Sequence, residues 1–89
     1  MLLLTANLEL VVTDMFEYNI AKEADNTKFR AFCQKIESNI AGITKEPLLT
    51  DVDGTQIQIY NTKAGKIKVY NDYEVDAVYA DSEFELLFS

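Results

Sequence analysis

The stretch Asp25–Ile43, DNTKFRAFCQKIESNIAGI, decides the fold class, because it is where the hydrophobic period of the chain changes. Phe29, Phe32, Cys33, Ile36, Ile40 and Ile43 recur at i, i+3, i+4, i+7, i+11 and i+14. That spacing gathers them on one stripe of a helix and leaves Lys28, Arg30, Lys35 and Glu37 outside it. Asp25 or Asn26 suits the N-cap, Gly42 suits a stop, and Pro47 forbids continuation. A helix over 27–41 is therefore expected.

On either side of this segment the period falls to two. Leu2, Leu4, Ala6, Leu8, Leu10 and Val12 alternate with Thr5, Asn7 and Glu9, the pattern of a strand with one buried face. The same parity runs weakly through Phe16, Tyr18 and Ile20, where the chain reads as an extension of that strand, a second strand after Thr13-Asp14, or a helix over 15–24. After the helix, short apolar runs alternate with turn signals: PLLTD, QIQIY, KIKVY, YEVDAVYA and EFELLF, separated by VDGT, NTKAGK, ND and DS.

Parity assigns the faces. Ile57 and Ile59 share parity with Ile67 and Val69, so a hairpin through 61–65 is expected to place these four on the core, with Gln56, Gln58, Lys66 and Lys68 outward. A two-residue turn at Asn71-Asp72 would mix core and surface, so a three-residue loop or a bulge is expected there. Tyr73, Val75, Ala77 and Tyr79 would then face inward, with Glu74 and Asp76 outward beside Lys66 and Lys68. A slip at Asp81-Ser82 would bury Phe84, Leu86 and Phe88. The sum is one α+β domain over 1–89: an antiparallel sheet of four to five strands with one helix on one face, in chain order β-α-β-β-β-(β).

Charge is the most informative part of the composition. The 89 residues carry 15 acids, 8 bases and no histidine, a net charge of −7. Residues 1–69 balance to −1, whereas 70–89 hold six acids and no base, a balance of −6. A field of that kind repels nucleic acid and anionic membrane and attracts basic surfaces. No apolar run reaches the roughly 18–20 residues of a membrane span. The N-terminal MLLLTANLELVV lacks the basic flank and small-residue cleavage site of a signal peptide. With Cys33 as the single cysteine there is no internal disulfide, and a cytoplasmic location is expected.

Few residues point to chemistry. Without histidine, the commonest general base and metal ligand is missing. TDVDGT at 50–55 resembles a calcium loop, but its glycine comes two residues early and Thr62 stands where the bidentate Glu is required. A hairpin turn with Gly54 at positive φ accounts for the same residues. Cys33 lies on the apolar stripe, where a small core residue is expected rather than a nucleophile. Carboxylates are abundant enough for an acid–base pair, but a domain this small rarely encloses the cleft such a pair needs. The expectation is a protein that is not an enzyme and uses no cofactor or metal.

What remains is the acidic end, NDYEVDAVYADSEFELLF. One account makes its carboxylates a solvated face that balances Lys66 and Lys68 and protects a strand edge. The other makes them a binding surface. Alternate residues on a strand project from one face about 6.6 Å apart. Asp72, Glu74 and Asp76 would form one row, Glu83 and Glu85 a second, with Asp81 between them and Tyr70 and Tyr73 as anchors. In size and charge alone the chain resembles small acidic proteins that phages and mobile elements use against host nucleases, anti-CRISPR proteins and DNA mimics among them, and also nuclease immunity proteins. That likeness implies a partner protein with a basic, nucleic-acid-binding surface, no direct contact with nucleic acid or membrane, and action in the host cytoplasm if phage-encoded. The alternative is an assembly subunit, such as a homodimer, formed through exposed strand edges or the apolar start, where Leu3 and Val11 lie on the nominal outer face.

Overall fold

A computed structural model describes residues 15–88. The strand expected over Leu2–Val12, with Leu3 and Val11, lies outside the described residues. The elements are β1 (Phe16–Ala21), α1 (Asn26–Asn39), β2 (Thr44–Lys45), β3 (Leu49–Thr50), β4 (Gln56–Thr62), β5 (Gly65–Asp72) and β6 (Ala77–Ser82). The fold is α+β, as expected. Among the described residues a six-stranded antiparallel sheet runs in the order β1-β6-β5-β4-β2, with β3 also on β4, and α1 packs on one face.

α1 forms where its periodicity requires. Asp25 sits in extended backbone and accepts from the Lys28 amide at 3.0 Å, satisfying one of the free N–H groups of the first turn. Phe29, Cys33 and Ile36 are buried, while Phe32, Ile40 and Ile43 pack partly against the core. The helix ends at Asn39, where the Ile40 amide still bonds the Ile36 carbonyl at 3.1 Å.

The 15–24 segment resolves into a strand: β1 pairs antiparallel with β6, from Phe16↔Ser82 to Ala21↔Val78, with a register shift between Asn19 and Ala21. Tyr18 and Ile20 turn toward the core, in keeping with their parity.

The hairpin β4–β5 overturns the assignment of faces. Thr62 pairs with Gly65, so the loop is the two residues Lys63-Ala64, held by the Thr62 hydroxyl, which accepts from the amides of Ala64 at 3.0 Å and Gly65 at 3.1 Å. An even-length loop pairs even residues with odd ones: Gln58 opposes Val69, Tyr60 opposes Ile67, and Ile57 and Ile59 oppose Tyr70 and Lys68. Gln58 and Tyr60 are therefore the inward residues of β4, and Ile57 and Ile59 lie on the far face. Gln58 is satisfied there by donating to the Glu46 carbonyl, and the Tyr60 hydroxyl by donating to the Glu37 carboxylate at 2.5 Å. The loop requires glycine at 65, whose φ is +142° and where a Cβ would stand 2.8 Å from that of Glu83.

The β5–β6 connection is corrected in the same way. Asp72 pairs with Ala77 across a four-residue loop, 73–76, so Asn71, Val78, Ala80 and Ser82 face inward and Tyr79 faces outward. Tyr73 and Val75 sit in the loop, 46% and 62% exposed, and are not core residues. Beyond β6 the described residues form no strand, yet Leu86 is buried and Phe84 and Phe88 are partly covered, as the parity slip requires. The Leu86 amide donates to the Tyr18 hydroxyl at 2.8 Å, and Phe88 meets Phe32 with ring centroids 6.1 Å apart.

Candidate interaction surface

Three loops meet at the sheet end nearest the start of α1. The Tyr73 amide donates to the Thr55 hydroxyl at 3.0 Å, joining loop 73–76 to the β3–β4 loop, 51–55. The Ala24 amide donates to Asp76 at 2.8 Å and the Asp25 amide to the Asn71 side chain at 3.0 Å, joining the β1–α1 connection. Asp51, Asp53, Asp72, Glu74 and Asp76 are thereby gathered at one end, flanked by Glu23 and Asp25, with Lys22 and Lys28 as the nearby cations in sequence. Gly54, at φ +91°, turns the 51–55 loop so that its Cα side lies against the Tyr73 ring. TDVDGT is thus the hairpin turn expected of it.

Most of these carboxylates also order the loops that carry them. Asp51 accepts from Val52, Asp53 from Thr55, and Asp72 from the amides of Glu74 at 2.9 Å and Val75 at 3.2 Å. Asp72 accepts the Tyr79 hydroxyl too, at 2.8 Å, and this bond, aided by the two amides, holds its carboxyl below the ordinary value of 3.8. Burial, with Asp72 beside it, raises the Tyr79 phenol. Asp76 has φ +58°, a left-handed conformation that Asp tolerates better than most residues.

The expected rows do not exist as drawn. Asp72 ends β5, while Glu74 and Asp76 lie in the following loop, so the three are not alternate residues of one strand. Glu74 and Asp76 are also at the wrong end of the sheet to balance Lys66 and Lys68. Register places Asp81 opposite Lys68, whereas the Glu83 carboxylate accepts from the Lys66 amide at 2.8 Å and Lys66 Nζ lies 3.9 Å from Glu46. Glu83 and Glu85 lie past β6, outside any strand, near the other end. Asp81 thus faces Lys68 across the strands, while Glu83 meets the backbone of Lys66 and the Lys66 ammonium lies toward Glu46. Among the described residues, Asp72, Glu74 and Asp76 form no ion pair within 4.0 Å, the pairs there being Lys45–Glu37 and Lys66–Glu46.

The two proposed anchors separate as well. Tyr73 is exposed at the acidic end, its hydroxyl 3.5 Å from Asn71 Nδ2. Tyr70 lies on the outer sheet face, stacked on Tyr79 at 4.6 Å between centroids and 16° between planes. Asp51 and Asp53 belong with the site although their segment reads only as a turn. Their signal was topological: in an antiparallel meander, alternate turns share a sheet end.

Elsewhere, Cys33 is buried in the core, and burial raises its thiol pKa, the opposite of an activated nucleophile. Tyr60, with support from Lys45 at 3.0 Å, holds the Glu37 carboxyl below its ordinary 4.5. Among the described residues, no cluster of three or more Cys, Asp or Glu is arranged to hold a metal ion, and no helix is long and apolar enough to cross a membrane. No protein-family model, curated protein or solved structure matches the chain.

Proposed function

We propose that this protein is a non-catalytic acidic binding protein that occludes a basic, nucleic-acid-binding surface of a partner, as an inhibitor. The observation that carries the reading is the end of the sheet where Asp51, Asp53, Asp72, Glu74 and Asp76 converge without an ion pair among the described residues. Carboxylates placed to solvate a surface are commonly interspersed with lysine, and here the net excess is concentrated. Four of the five are tethered by hydrogen bonds to nearby backbone, so their charge sits on ordered loops and costs little entropy to present. Such an end steers toward a Lys/Arg-lined groove and offers Arg the charge-assisted bonds that phosphates offer. Tyr73, exposed among these acids, is suited to anchor the contact. Anti-defence inhibitors of phages and mobile elements, DNA mimics and nuclease immunity proteins work by this chemistry, and the host cytoplasm is where the first two would act.

The test is the triple variant Asp53→Asn, Glu74→Gln, Asp76→Asn, which retains side-chain size and an oxygen acceptor at each position. A nucleic-acid-binding protein captured from host lysate by the wild-type chain should be released by duplex DNA and should bind the variant about tenfold more weakly at low salt. Unchanged affinity at low and moderate salt, in a folded variant, would remove this function from the acidic end.

A second reading, homo-oligomeric assembly, is favoured by one observation: β1 pairs only with β6 among the described residues, which makes it an edge strand. A salt-resistant symmetric oligomer in light scattering would select it, and a monomer would reject it.

A further inference from the structure

The helix covers one face of the sheet, and among the described residues no element packs on the other. Register arranges that outer face in rows. Leu49, Ile57, Tyr70 and Tyr79 stand opposite one another across β3, β4, β5 and β6, and Asn19 continues the row on β1. At about 4.8 Å per strand, the four span roughly 14 Å of apolar and aromatic surface. On one side of this row run Glu17, Asp81, Lys68 and Ile59, again directly opposite one another. On the other side is Asp72, which accepts the Tyr79 hydroxyl. The face thus places a stacked tyrosine pair between carboxylates, with Leu49 52% exposed at its edge.

We infer that this outer face is a docking surface for arginine side chains of the partner protein. The inference rests on the proposed function and narrows it, from basic partners in general to those that present arginine here. Guanidinium is planar and weakly hydrated, so it lies against aromatic and aliphatic side chains while bonding a carboxylate through two N–H groups. Tyr70 and the neighbouring Asp81 supply both requirements, and Asp72, whose oxygens already accept from two amides and the Tyr79 hydroxyl, adds negative charge on the other side of the pair. Lysine has a compact, strongly hydrated charge and gains only the Coulombic part. Charge complementarity also argues against a second copy as occupant: an isologous contact would bring Glu17, Asp72 and Asp81 toward the same acids of its mate, with Lys68 as their one counter-charge in these rows.

The experiment is a titration of the isotope-labelled full chain with oligo-arginine and oligo-lysine peptides of equal length, followed by amide chemical shifts. Arginine should bind about fivefold more tightly than lysine, and the amides of Ile57, Tyr70, Tyr79 and Asp81 should move. The variant Ile59→Ser, which leaves the inner face intact, should keep the fold and weaken the arginine peptide selectively. Equal binding of both peptides, with shifts confined to 51–55 and 73–76, would overturn the inference and leave the charge-based reading standing. Failure of both peptides to bind would overturn the two together. Nuclear Overhauser contacts from residues 1–14 to Tyr70 or Ile57, or a dimer whose contact shifts fall on this face, would also overturn it.

Discussion

Asp25 and Asp76 are both carboxylates of an acidic protein, yet each accepts a backbone amide, Asp25 from within its own helix turn and Asp76 from across the fold. Replacing Asp25 with Ala removes the acceptor for the Lys28 amide and should cost about 1 kcal/mol in urea denaturation, whereas Asn should restore most of it. At Asp76, Ala loses the bond from Ala24 and must still adopt φ +58°, so about 1–2 kcal/mol is expected, with Asn close to neutral. The cap was legible because an N-cap is set by its immediate neighbours. The left-handed conformation at 76 was not, since it depends on a loop length set by the pairing of Asp72 with Ala77. Titration belongs to the same scale. Glu37 is held below 4.5 in the folded protein, so its contribution is present above that value and is lost as pH falls through the depressed folded value. Tyr60→Phe removes the first cause of the depression, and the denaturation midpoint should then fall less steeply as the solution is acidified. A steeper fall would contradict the Tyr60–Glu37 bond.

At the scale of elements, the helix and the strands could be read from period alone, and the faces of β4 and β6 could not. A strand pattern such as QIQIY has no strong preference between its Ile and its Gln-Tyr faces when tyrosine is large enough to fill a core. The decision falls to whether a loop has an odd or an even number of residues, and the Lys63-Ala64 turn inverts what matching apolar parity suggests. The two faces make a direct prediction. Ile67 is fully buried, so Ile67→Ala should cost about 2–4 kcal/mol, while Ile59→Ala, partly exposed on the outer face, should cost about 1–2 kcal/mol. Equal losses in chemical denaturation would mean that the register is wrong. The Gly65 position adds a second check, because Gly65→Ala meets both a strained φ and the Glu83 side chain and should destabilise by more than about 1 kcal/mol.

At the scale of the whole molecule, the net charge of −7 is not spread evenly, and its distribution differs from its order in the sequence. Like charges at the 51–55 and 73–76 loops repel without an ion pair among the described residues to offset them, so added salt should screen the repulsion. The thermal midpoint should rise between low and moderate sodium chloride, and the triple variant at Asp53, Glu74 and Asp76 should start higher and respond less. A midpoint that falls with salt would argue that stabilising ion pairs outweigh the repulsion.

Neighbours a few residues apart suffice to specify a capped helix with one apolar stripe, strands of period two, a turn at Gly54, and an excess of acid with no base among 70–89. Tertiary structure decided which face each strand buries and which acids share a surface, because both follow from loop parity and sheet order. Asp51 and Asp53 joined Asp72, Glu74 and Asp76 through the shared end of a meander, and Tyr70 joined Tyr79 through cross-strand register. Those relations are non-local: a change of one residue in a loop exchanges the two faces of a strand, while the local pattern from which the strand is recognised stays the same.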